Sequence, residues 1–123
     1  MLSEEQSRQV VEMAMELART GETAELLEFL NRGVPVDVQD AGGNTLLMLA
    51  AYHGQLNTVR ALLGRGADVE LRNARDQSVI AGAIFKGEDA VVKELLAAGA
   101  DLDAGTPSAR QAAEMFGRTH LLG

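Results

Sequence analysis

Asp68 and Asp101 are the first candidates for chemistry, because two carboxylates held together can divide the work of a general acid and a general base. They stand, however, at the same point of two matching segments, Leu63 with Gly66-Ala67-Asp68 and Leu96 with Gly99-Ala100-Asp101. A residue repeated with its surroundings reads as scaffold, here a turn aspartate accepting backbone N–H groups. Gly64-Arg65-Gly66 opens like a dinucleotide-binding motif but lacks the third glycine and follows a helical pattern where a strand is needed. Gly82 and Gly87 have the spacing of a phosphate loop, yet Glu88-Asp89 occupy the places of the required Lys and Ser or Thr and would repel phosphate. His53 and His120 are the two histidines of a chain without cysteine, and their spacing fits no usual zinc motif, so no metal and no cofactor is expected. Thr45 and Ser78 could be nucleophiles only beside a base; at helix starts their hydroxyls cap free amides instead. No catalytic residue is assigned.

What must position these residues is a repeat of 33 residues, which also carries Ala50 onto Ala83, Gly54 onto Gly87, Val59 onto Val92 and Leu62 onto Leu95. Ser3 and Gln6 form a capping box for a first helix that Gly21 ends, with Val10, Met13, Ala14, Leu17 and Ala18 on its apolar face. Helices are predicted over 23–32, 45–53, 57–65, 77–86 and 89–98, each pair separated by a glycine and followed by an extended, turn-rich stretch such as 33–44. Thr106-Pro107 reads as a cap with Pro at the first helical position of a last helix running to Phe116, whose face is Ala109, Ala112, Ala113 and Phe116. Aligning Ala113 and Gly117 with Ala50 and Gly54 requires a preceding loop about three residues shorter, and His120 to Leu122 would then begin a final, incomplete helix. Helices of about nine residues are marginal alone, so they must stack. Truncating Leu63 or Leu96 in the shared core is expected to cost about 2–5 kcal/mol.

Asp40-Ala-Gly-Gly-Asn-Thr-Leu-Leu-Met-Leu-Ala-Ala51, Gly54-Gln-Leu56, Val59, Leu62-Leu63 and Gly66-Ala-Asp-Val69 together resemble one ankyrin repeat, and the resemblance extends through 73–105 and partially to both ends. It implies an all-α solenoid of stacked helix-turn-helix units joined by extended β-turn loops, in one domain with units at 4–39, 40–72, 73–105 and 106–123. Two departures stand out: the family's Thr-Pro-Leu-His reads Thr45-Leu-Leu-Met48 and Ser78-Val-Ile-Ala81. Without the histidine, packing of Met48 and Ala81 must replace its hydrogen bonding between repeats.

The resemblance implies a non-enzymatic module that binds a protein partner through its concave face and loop tips. The matching positions are Asn44, Tyr52, His53, Arg65 and Arg72 in one unit and Arg75, Gln77, Phe85 and Lys86 in the next. With Arg19 and Arg32 of the first unit, six of the chain's eleven basic residues fall on this set, so an acidic protein segment anchored at Tyr52 and Phe85 is expected. Helix dipoles offer a second account of Arg19, Arg32, Arg65 and Lys86, though not of Arg72 and Arg75. The alternative function is an accessory or stress-related protein holding a small anionic metabolite in the groove. Nucleic acid is not an expected partner of a chain of net charge −7 with three Phe, one Tyr and no Trp. The longest apolar run, 46–52, is far below the roughly 18 residues of a membrane span. An acidic, polar start and the lack of cysteine point to a cytoplasmic monomer.

Overall fold

The computed structural model describes residues 2–122, which form seven α-helices: α1 (Glu4–Thr20), α2 (Thr23–Asn31), α3 (Leu46–Tyr52), α4 (Leu56–Gly64), α5 (Val79–Phe85), α6 (Asp89–Ala97) and α7 (Ala109–Met115). A 3-10 turn, Thr119–Leu122, follows. Helices α1, α3, α5 and α7 pack in succession as one layer, and α2, α4 and α6 as a second layer behind it. Between the layers lies one continuous core that includes Leu26, Leu47, Met48, Val59, Leu62, Ile80, Ile84, Val92 and Leu95, all essentially inaccessible. This is the all-α solenoid that the period implied.

The starts of the first-layer helices are chemically alike. Thr45, Ser78 and Ser108 each accept the amide of the residue three positions on, at 3.1 Å, 3.2 Å and 3.2 Å, the capping role of a helix start. At α1 the Ser3–Gln6 capping box forms as expected. The last helix departs from expectation. Its cap is Ser108, with a reciprocal bond from its amide to Gln111, and not Thr106-Pro107. Thr106 instead binds back to the preceding loop, its amide to the Asp76 carbonyl at 2.9 Å and its hydroxyl to the Asp76 carboxylate at 2.7 Å.

Packing corrects three further expectations. On α1 it is Met15 that is buried, while Met13 is 55% exposed; among the described residues α1 has one first-layer neighbour, α3, on one side. Leu62 and Leu95 are fully buried, whereas Leu63 and Leu96 are only half-buried against the core. Ala109, Ala112 and Ala113 of α7 are buried, but Phe116 is 44% exposed.

The loops tie the repeats together. Asp68 and Asp101 accept the amides of Glu70 and Asp103 at 2.8 Å and 2.9 Å, the turn role expected of them. Asn73 donates to the Asn44 side chain at 3.0 Å and the Ala74 amide to the Gly42 carbonyl at 2.9 Å. These bonds join neighbouring units at the loop tips, while Met48 and Ala81, which stand where the family has histidine, are buried in the core. Gly43 has φ +78°, and its equivalent 33 residues on is Asp76, which holds the same left-handed conformation at φ 58°; aspartate is among the few side chains that tolerate it.

At the C-terminal edge the interior residues Ile80, Ala81 and Ile84 are replaced, after a step of 30 residues, by Arg110, Gln111 and Glu114, all exposed. The outer side of α7 is therefore polar at these positions. Behind it, Leu121 and Leu122 are half-buried against the core and Arg118 pairs with Asp89 at the start of α6.

Candidate interaction surface

A groove of about 420 Å³ opens at the C-terminal ends of α3, α5 and α7. Its floor is made of small residues, Ala81 and Gly82 from α5 and Ala112 from α7, and its walls are Tyr52, Phe85, Met115 and Phe116. Phe85 is 63% exposed and Met115 62%. The rings of Phe85 and Phe116 meet edge to face, with centroids 5.1 Å apart and planes at 88°, which links the ends of α5 and α7. Gln77, Thr106 and Pro107 close one end and Lys86 stands at the rim.

Gly82 is what lets this groove form. A Cβ there would lie 2.6 Å from Cζ and 2.9 Å from Cδ1 of Tyr52, and closer still to Cε1. The ring thus packs directly against the bare backbone of Gly82. Its hydroxyl donates toward the Ser78 carbonyl at 3.5 Å, and burial pushes its pKa from 10.0 up to about 12.

The structure brings together four of the nine residues expected at the site: Tyr52, Gln77, Phe85 and Lys86. The other five lie apart from the groove. Asn44 is spent on the loop bridge to Asn73. Arg72 pairs with Asp76 at 3.1 Å, which neutralises the cation expected to attract an acidic partner. Arg75 is exposed on the loop tip, its amide bound to Asn73 Oδ1 at 3.0 Å, and among the described residues no carboxylate lies within ion-pair distance of it. His53 follows α3, its Nδ1 at 2.9 Å from the Leu49 carbonyl. Arg65 caps the C-terminus of α4 in the second layer, and Arg32 does the same for α2. Arg19 pairs with Glu16, holding that carboxyl below its ordinary pKa.

Sequence reasoning missed Met115 and Phe116, although the signal was present. The 30-residue step that aligns Gly87 with Gly117 also carries Phe85 onto Met115 and Lys86 onto Phe116. Among the described residues no group of three or more His, Cys, Asp or Glu could hold a metal ion, and no helix is long and apolar enough to cross a membrane.

Residues 14–106 match the family model described as ankyrin repeats, three copies. The chain belongs to the ankyrin-repeat family. A curated ankyrin repeat protein of Pseudomonas aeruginosa is 41% identical over 55 residues, 45% of this chain and 32% of that relative. The match thus spans about a third of the relative's length. Ankyrin repeats are in general protein–protein interaction modules and not enzymes. In this ankyrin solenoid the departures from strict repetition, Gly82 and the shortened loop before α7, fall at the groove.

Proposed function

We propose that this chain is a non-enzymatic ankyrin module that holds a partner protein on its concave face, with Tyr52, Gln77, Phe85 and Lys86 as the central contacts and Arg75 at the loop tips. The observation that carries this reading is the exposure of Phe85, Met115 and Phe116 side by side in one groove. Aromatic and methionine side chains clustered at a concave surface supply contact energy to a partner, and cations at the rim steer an acidic one. A cytoplasmic monomer suits the composition, which has no cysteine and a net charge of −7. The anionic-metabolite reading draws no support from the groove, since its lining offers one cation, Lys86, on otherwise apolar walls.

The test is affinity capture with the chain followed by binding kinetics on the captured partner. Phe85→Ala and Met115→Ala should mainly speed dissociation, and Arg75→Glu with Lys86→Glu should slow association and weaken its salt dependence. Kinetics indifferent to all four changes would move the working surface elsewhere on the stack.

A further inference from the structure

At the groove the donors left over belong to Gln77 and Lys86. Gln77 lines it, but the side-chain oxygen of Gln77 is taken by Asn73 at 2.7 Å, so its amide N–H groups remain. The Thr106 hydroxyl is spent on Asp76, and the Tyr52 hydroxyl points to the Ser78 carbonyl. Lys86 contributes the one charge, and among the described residues no carboxylate lies within ion-pair distance of it. No Asp or Glu lines the groove, in a chain that has eighteen. An occupant must therefore bring acceptors for both ends and apolar surface for the middle.

Size narrows the occupant further. The volume of about 420 Å³ lies low in the range of pockets that enclose small ligands, about 300–1,000 Å³. It seats a few side chains, whereas a stable interface between two subunits needs roughly 800 Å² from each. The chain's net charge of −7 also opposes a long acidic run at a distance, so one or two carboxylates set close to an apolar group fit better than an acidic tract.

We infer that the slot between α5 and α7 is an anchor pocket for a short segment of a partner protein, in which a bulky apolar side chain lies over Ala112 between Phe85 and Met115. A neighbouring carboxylate meets Lys86, and a backbone carbonyl accepts from Gln77. The inference rests on the interaction reading above but places the affinity in the slot and not in the loop-tip arginines.

A display library of short random peptides, selected on the full chain, tests it. The enriched peptides should share a large apolar residue with Asp or Glu close by. Phe85→Ala or Met115→Ala should weaken them about tenfold or more, with the far-ultraviolet circular dichroism unchanged because both side chains are exposed. Lys86→Glu should switch the enriched charge from acidic to basic, a change of specificity that a loss of folding cannot imitate. Peptides that bind the Phe85 and Met115 variants as well as the parent would overturn the slot while leaving the interaction module standing. A failure to enrich any peptide would overturn it too, with capture of a whole partner still deciding the broader reading. Sedimentation showing a concentration-dependent dimer that Phe85→Ala abolishes would assign the slot to a second copy of this chain and equally refute the inference.

Discussion

Gly82→Ala places two opposing effects in one substitution, and the structure says which wins. Gly82 lies inside α5 with an ordinary helical backbone, where alanine is normally better by about 0.8–1.0 kcal/mol. The added Cβ, however, would fall 2.6 Å from Tyr52 Cζ and 2.9 Å from Cδ1, too close for the ring to stay. Returning a side chain of this size to water forfeits about 1.5–3 kcal/mol. The expected net loss is about 1 kcal/mol, or a melting temperature lower by about 4 °C. In a Tyr52→Ala background the collision is gone, and the same Gly82→Ala change should stabilise by about 1 kcal/mol, so that the cycle shows a coupling of about 2 kcal/mol. Tyr52 is the one tyrosine of a chain without tryptophan, which makes tyrosinate absorbance after rapid alkaline mixing a private reporter of its ring. In Gly82→Ala its pKa should fall from about 12 back toward the ordinary 10.0. A Gly82→Ala protein that is more stable than the parent, with Tyr52 still titrating near its original value, would refute the account of the groove given above.

Other perturbations follow from the same contacts. Leu62→Ala or Leu95→Ala should cost about 2–5 kcal/mol in denaturant melts, because both are fully buried, while Arg72→Ala, which removes an exposed ion pair, should change stability by less than about 1 kcal/mol; the reverse ranking would contradict the core. Hydrogen exchange should find residues 118–122 less protected than 59–62, since the final 3-10 turn has no further unit beyond it among the described residues; equal protection would mean that another chain covers this end. Glu88→Gln should stabilise by about 0.5–1.5 kcal/mol: Gln55 donates across Gly21 to the Arg19 carbonyl at 3.0 Å, and Glu88 lies over Gly54 in the corresponding place but as a carboxylate cannot donate to Tyr52. Because the folded pKa of Tyr52 is raised to about 12, its stabilisation is complete below pH 10 and is lost as pH rises toward 12, by at most about 3 kcal/mol; Tyr52→Phe should remove that alkaline loss, and an unchanged profile would assign it to other groups.

The period was enough to place the layers, because a residue that recurs with its neighbours must recur in its packing. Asp68 with Asp101 and Thr45 with Ser78 were legible for that reason, each doing the same local work in its own unit. Burial within a pair of adjacent leucines was not. Leu62 and Leu63 are both apolar and both repeated, and the packing of α4 against its neighbours encloses the first and leaves the second half-open. The cap of α7 failed in another way: Thr106-Pro107 and Ser108 each satisfy a local rule for starting a helix, and the bonds from Thr106 to Asp76, which no local pattern contains, hold the chain in a turn for two residues more.

The site was half legible because a site depends on what differs between units. Tyr52, Phe85 and Met115 occupy one position in three successive units and so form a ladder, but their settings diverge: the ring of Tyr52 is laid into the space over Gly82, whereas Phe85 faces Ala112 across the next step and projects. The position of Gly82 is Leu49 one unit earlier and Ala112 one unit later. A leucine there would fill the floor and push Tyr52 out, so the groove exists only where the repeat lapses into glycine and alanine. The loop shortened by three residues sets Thr106 and Pro107 at the end of that groove. Regular positions carry the stack and irregular ones carry the slot, which is why charge counted over equivalent positions drew attention to Arg65 and Arg72 while Met115 was passed over and Phe116 was read as core.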